Sequence, residues 1–151
     1  TLYTVFTVDG VSLPKFKAAG MDGVLGTFNT NYWSPDLPNA QNQQFVAAYT
    51  EKYGEEPAHY AAQAYDLIFL IKSAVEAVDG NLDDMDGLRA ALMAANYPST
   101  RGEYTYGNNP MPIQTFYRRE VSIGDDGQWT NKVVATVFEN HQDRYAASCK
   151  M

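Results

Sequence analysis

The spacing of apolar and polar positions changes period twice along this chain, and each change marks a group of elements. Residues 2–8, LYTVFTV, are dense in β-branched and aromatic side chains. Such side chains suit a pleated surface and predict a strand, closed by Asp9-Gly10. Ser12-Leu13-Pro14 predicts a helix start, with Ser12 or a neighbour as cap and Pro14 in the first turn; Gly20 ends it. Residues 23–28, GVLGTF, predict a second buried strand. Strand, short helix and strand together predict one parallel βαβ crossover. Residues 29–42 read as a loop, because Asn29, Asn31, Ser34-Pro35, Pro38 and Asn39 are turn formers.

The period then becomes helical. Phe45, Tyr49 and Tyr53 recur every four residues and share one helix face, and Gly54 supplies a left-handed stop. Glu55-Glu56-Pro57 breaks the pattern, since proline pushes its predecessor toward extended geometry. A second helix opens near Tyr60 and carries Ala61, Ala64, Tyr65, Ile68, Ile71, Val75 and Val78, which predict a buried helix. A third, about residues 85–95, turns Leu88, Leu92 and Ala95 inward. Asp83, Asp84 and Asp86 lie at its positive end, where a helix dipole stabilises them. As a calcium loop the acidic run fails, with Asp84 where glycine is needed and Ala90 where glutamate is needed.

From Gly102 the period is two. Residues 103–106 predict a short strand, 108–112 a turn, and 113–123 a long strand of mixed alternation. Gly124-Asp125-Asp126-Gly127 is a tight polar hairpin turn leading to a partner strand at 129–138, and the tail predicts a short turn or helix. The order describes an α/β domain with a terminal antiparallel element.

Composition narrows the chemistry. With 151 residues, 45% hydrophobic and 19% charged, the chain is long enough for one globular core. A net charge of −7 repels phosphate backbones, and the one basic doublet is Arg118-Arg119, so nucleic acid is not an expected partner. On a strand those two arginines alternate faces, one expected to pair with a carboxylate and the other to be solvated. Cys149 is the single cysteine, which excludes an internal disulfide and a cysteine-based zinc site. The longest aliphatic and aromatic run, residues 67–71, is far short of the roughly 20 residues that cross a bilayer. The chain opens directly in strand-like sequence, which implies a removed segment or a piece of a longer protein.

Catalytic patterns are missing: the sequence has no nucleophile elbow, phosphate loop or dinucleotide turn. His59 and His141 are far apart and have no ligand-spaced or nucleophilic neighbour. No catalytic residue, metal ligand or cofactor is therefore assigned. Glu55 and Glu56 read as solvated, and Tyr97, Tyr104, Tyr106 and Tyr117 as core and rim. Tyr32 and Trp33, on the proline-rich loop, are either packed against the body or part of a ligand wall.

F-V-x-x-Y-x-x-K-Y-G-x-x-P at residues 45–57, followed by Y-A-A-Q-A-Y-D at 60–66, resembles the periplasmic solute-binding proteins of branched-chain amino acid ABC transporters. Leu88-Arg89-x-Ala91-Leu92, Arg101-Gly102-x-Tyr104-x-Tyr106 and Tyr117-Arg118-x-Glu120-Val121 continue the likeness. The resemblance implies part of a two-lobe type I periplasmic-binding fold, with Rossmann-like βαβ pieces and a C-terminal antiparallel hairpin. It implies a C-terminal portion, with residues 1–42 a βαβ piece of the second lobe and hinge loop, 43–100 helical, and 101–151 a β-rich hinge and end. The implied role is an extracytoplasmic solute receptor that serves an inner-membrane ABC permease. Its solute would be a branched-chain or other amino acid, an amide or an aromatic carboxylate. A sensory ectodomain of the same fold and a small α/β hydrolase are the alternatives.

By the same likeness, Phe6 or Thr7, with Asp9 nearby, stands where amino-acid-binding members place an acidic residue for the ligand ammonium. An apolar wall there suits an aromatic or aliphatic carboxylate better. Tyr60 corresponds to an aromatic that packs on the solute, and Tyr32 and Trp33 to the hinge entry. With part of such a fold missing, exposed apolar surface is expected to drive self-association or element swapping.

Overall fold

The computed structural model describes Leu2, Tyr3 and residues 8–150. Its elements are helices α1 (Leu13–Ala18), α2 (Ala40–Tyr53), α3 (His59–Ala77) and α4 (Met85–Ala94), and strands β1 (Phe28–Asn31), β2 (Thr105–Tyr106), β3 (Pro112–Ile123) and β4 (Trp129–His141). Single 3-10 turns lie at Asp22–Val24 and Ala146–Ser148. The expected strand at residues 2–8 lies largely outside the described residues. Its visible trace is a parallel bridge from Tyr3 to Phe28.

The second strand falls later than the sequence suggests. Residues 22–24 form a 3-10 turn and Gly26 takes a left-handed φ of 77°, so regular pairing begins at Phe28. The long β3 strand explains this: β1 pairs antiparallel with residues 117–120 of β3, and that ladder draws Asn29 and Asn31 out of the predicted loop. The loop also ends early, since Asn39 caps α2 by accepting a hydrogen bond from the Asn42 amide.

Strand β3 is the hub of the sheet. It runs antiparallel to β4 along most of its length, holds β1 on its other edge, and pairs with β2 at Ile113 and Pro112. Register shifts near Gln114, Phe116 and Arg118 explain the mixed alternation, because each extra residue flips the faces that follow.

Gly54 ends α2 in a left-handed conformation with φ 74°, as the pattern predicts. Asp84 caps α4 through the Gly87 amide. At α1 no side chain caps the helix; Ser12 closes a turn on Asp9, donating to its carbonyl and accepting from its amide. The expectation of a buried α3 needs correction. His59, Ala62, Asp66 and Ala74 are buried, but Leu67, Ile68 and Ile71 are 51%, 64% and 46% exposed. The apolar sequence of α3 covers more of its circumference than the other described elements cover.

Two small cores result. Val8, Leu13, Val121 and Trp129 form one; Trp33, Leu37, Phe45 and Ala62 form the other. A buried polar seam links them. Arg119 donates to Asn29 Oδ1 from Nε (2.8 Å) and Nη2 (2.6 Å), and to the Trp33 carbonyl from Nη1 (2.9 Å). Asn29 donates to Asn131, which in turn donates to the Val8 carbonyl.

Candidate functional site

Asp9 and His59 are fifty positions apart and meet in the fold. Asp9 ends the segment that leads into α1, and His59 is the first residue of α3. His59 Nδ1 lies 2.6 Å from Asp9 Oδ2, with side chains only 11% and 10% exposed. The other carboxylate oxygen accepts from the Val11 amide at 3.4 Å. Burial pushes the Asp9 carboxyl up. The His59 hydrogen bond and charge, the Val11 amide and the Arg119 guanidinium outweigh it and hold the carboxyl below its ordinary range.

Tyr60 follows on α3, 70% exposed, with its ring centroid 3.8 Å from that of His59. Tyr32 is half-buried, meets Phe116 edge-on at 6.4 Å, and lies 4.8 Å under the Arg101 guanidinium. Its hydroxyl is buried without a hydrogen-bond partner among the described residues, and burial pushes its pKa up. A cavity of about 380 Å³ is lined by Thr30, Asn31, Tyr32, His59, Tyr60, Gln63 and Phe116. The structure thus brings Tyr60, Tyr32 and, through His59, Asp9 to one place. Trp33 is 1% exposed, its indole donating to Asn42 at 2.7 Å within the second core. Phe6 and Thr7 lie outside the described residues.

Tyr60 and Gln63 also border a second concavity, of about 440 Å³, that reaches Asp66, Arg101, Tyr97 and Tyr104. Its floor is a buried polar knot. Asp66 accepts from Ser99 Oγ (2.5 Å) and the Thr100 amide (2.9 Å), with Arg101 Nε at 3.5 Å. Arg101 also donates to Gln114 and lies 4.7 Å from the Tyr104 ring, so the tyrosine run forms a wall around a cation.

Three expectations about polar residues are corrected. Arg119 is fully buried on neutral acceptors, with no carboxylate in ion-pair contact among the described residues; burial lowers its pKa to about 10 although Asp9, Asp36 and Glu56 pull it up. Arg118 lies over the Phe28 ring at 4.9 Å and its Nε is buried without a hydrogen-bond partner among the described residues. Glu56 is not solvated: its carboxylate accepts from Thr130 Oγ1 at 2.6 Å, whereas Glu55 is exposed. The partner of His59 was hidden by sequence distance alone. The signal that was available is an acidic residue at a strand end and a histidine at a helix start.

A family model described as "Periplasmic binding protein" matches residues 2–128. The chain belongs to that family. A curated Leu/Ile/Val-binding protein homolog from Brucella abortus is 28% identical over 125 residues, 81% of this chain and 32% of the relative. A solute-binding protein of an ABC transporter from R. palustris, solved with benzoate, is 30% identical with a TM-score of 0.75, covering 90% of this chain and 36% of that one. Another, from Rhodopseudomonas palustris with p-hydroxybenzoic acid, gives 28% and 0.73 over 94% of this chain and 38% of that one. A leucine-binding protein from Thermotoga maritima gives 25% and 0.63, over 82% of this chain and 34% of that one. These matches fix the fold as that of a type I periplasmic binding protein, in part. The chain spans about a third of the length of the curated relatives it matches.

Proposed function

We propose that the chain is the C-terminal part of an extracytoplasmic receptor that delivers a small organic solute to an inner-membrane ABC permease. The carrying observation is the fold match to a benzoate-bound solute-binding protein over 90% of the chain. In this reading residues 1–42 and 101–151 contribute to the hinge and second lobe, and 43–100 supply the helical part. The polar seam of Arg119, Asn29 and Asn131 is where the two cores articulate, and the lobes close on the solute by hinge motion.

The aromatic cavity at Tyr60 and Tyr32 forms one wall of the solute site, with Phe6 and Thr7 assigned to the same cleft by resemblance alone. The rings of Tyr60, Tyr32 and Phe116, set among the polar side chains of Thr30, Asn31 and Gln63, favour an aromatic carboxylate, because a planar ring can pack on the tyrosines while its polar group meets the amides and hydroxyl. An α-amino acid is less suited, since its ammonium needs a free carboxylate and Asp9 is already engaged by His59. Calorimetric titration of the full-length gene product with benzoate, leucine and simple amides tests this. Heat of binding from benzoate is the expected result; no heat from any of the three overturns the reading.

A further inference from the structure

We infer that the turn at residues 56–59 is clasped to the core of Val8, Leu13, Val121 and Trp129 at Gly10, and that this contact sets where the start of α3 stands against the end of β1 in the solute cavity. The inference rests on the solute-binding reading above and adds to it a positioning residue that touches no solute.

Space, not backbone freedom, requires glycine at residue 10. It takes no left-handed φ. A Cβ built there would overlap the Glu56 carbonyl oxygen and stand 3.0 Å from that of Pro57. At Gly87, Gly107 and Gly124 the nearest atom to such a Cβ belongs to a side chain, which can turn aside; at Gly10 it is main chain, which cannot. Two further contacts flank this approach. Asp9 Oδ2 lies 2.6 Å from His59 Nδ1, and Thr130 Oγ1 donates to Glu56 Oε2 at 2.6 Å.

All three contacts join the same two bodies. Asp9-Gly10 and Thr130 adjoin Val8 and Trp129 of one core, whereas the turn links α2 to α3, whose Phe45 and Ala62 belong to the other. Asn131 donates to the Val8 carbonyl, and these two are the chain neighbours of Thr130 and Asp9, so the first body presents one braced edge. Strand β1 is tied to the same edge, because Asn29 donates to Asn131. A crevice of about 310 Å³, bordered by Lys17, Glu55, Gln128 and Trp129, opens beside the contact and gives the turn room to swing when it is displaced.

The clasp reaches the solute through α3. His59 is part of the clasp and lines the cavity with Tyr60 and Gln63, while Thr30 and Asn31 of β1 supply another part of the lining. Gly10 and Thr130 line none of it. A methyl group at residue 10 therefore moves the α3 side of the cavity away from its place against β1, and solute affinity falls with the population of the binding-competent geometry.

The test uses the full-length protein, titrated calorimetrically with benzoate, leucine and benzamide and followed by small-angle scattering with and without solute. Gly10→Ala is expected to weaken whichever solute the wild type binds by about tenfold and to reduce the compaction that the solute induces. Gly23→Ala, at a glycine with no left-handed φ and open space around it, is the control and is expected to match the wild type. Thr130→Val removes the hydroxyl from the clasp at nearly constant volume; it is expected to cost about threefold and carries the test should Gly10→Ala not fold. Wild-type affinity and compaction in Gly10→Ala, or an equal loss in Gly23→Ala, overturns the clasp and leaves the receptor reading intact. A wild type that binds none of the three solutes overturns the receptor reading, and scattering then judges the clasp: an unliganded Gly10→Ala with the wild-type radius of gyration overturns it.

Discussion

Glu56 lies in a turn whose sequence, Gly-Glu-Glu-Pro, reads as solvent-facing, yet the fold closes over it. The close approach of Gly10 explains part of this, since a Cβ at residue 10 would collide with the Glu56 and Pro57 carbonyls. Burial pushes the Glu56 carboxyl up to about 7, helped by Asp126 and Asp36, against the Thr130 hydrogen bond and the Arg119 charge. Its ordinary value is 4.5, so the unfolded chain releases this proton at lower pH than the folded one. Protonated Glu56 therefore contributes its full stability below pH 4.5, and that contribution is lost as pH rises through about 7. The loss amounts to about 3 kcal/mol. Urea midpoints at pH 5 and pH 8 measure it. Glu56→Gln is expected to flatten the difference, and an unchanged slope in that variant would assign the pH dependence elsewhere.

At the level of elements, what holds α3 to the start of the β-rich region is one carboxylate. Asp66, 2% exposed, takes the Ser99 hydroxyl and the Thr100 amide and has Arg101 beside it. Asp66→Ala would leave a buried amide and a guanidinium uncompensated and is expected to cost about 3 kcal/mol of unfolding free energy. Ser99→Ala removes one neutral donor and is expected to cost about 1 kcal/mol. Equal losses in denaturant titrations of the two variants would contradict the central role of the carboxylate. This pairing shows where sequence reading stops. The helix stop at Gly54, the Asp84 cap and the β3–β4 hairpin were legible because their signals are local, within about one turn of the chain. The contacts Asp9–His59, Asp66–Thr100 and Arg119–Asn29 join residues 34 to 90 positions apart, and no local pattern announces them. The delayed start of β1 belongs with them, because its position is fixed by pairing with β3.

The family and fold class were legible at the scale of the whole molecule because the motif order from residue 45 to 121 survives even where each motif alone is ordinary. The exposed face of α3 was not, since an apolar helix reads as buried whether or not its partner is in the chain. Leu67, Ile68 and Ile71, each about half exposed or more, form a stripe on one side of α3. Fully burying a leucine or isoleucine is worth about 1.5–3 kcal/mol, so a shared cover over three of them supplies several kcal/mol of association free energy, less the entropy of joining two chains. A protein as long as the curated relatives, of which this chain spans 32%, has further polypeptide available to cover that stripe. The 151-residue chain expressed alone has only other copies of itself. It is expected to self-associate at micromolar concentration in light scattering, and the double variant Ile68→Lys, Ile71→Lys to shift the population toward monomer, because each ammonium would have to be desolvated in any shared interface. A wild-type chain that stays monomeric across that range would mean that α3 leaves its apolar face in water at no cost the chain needs to relieve.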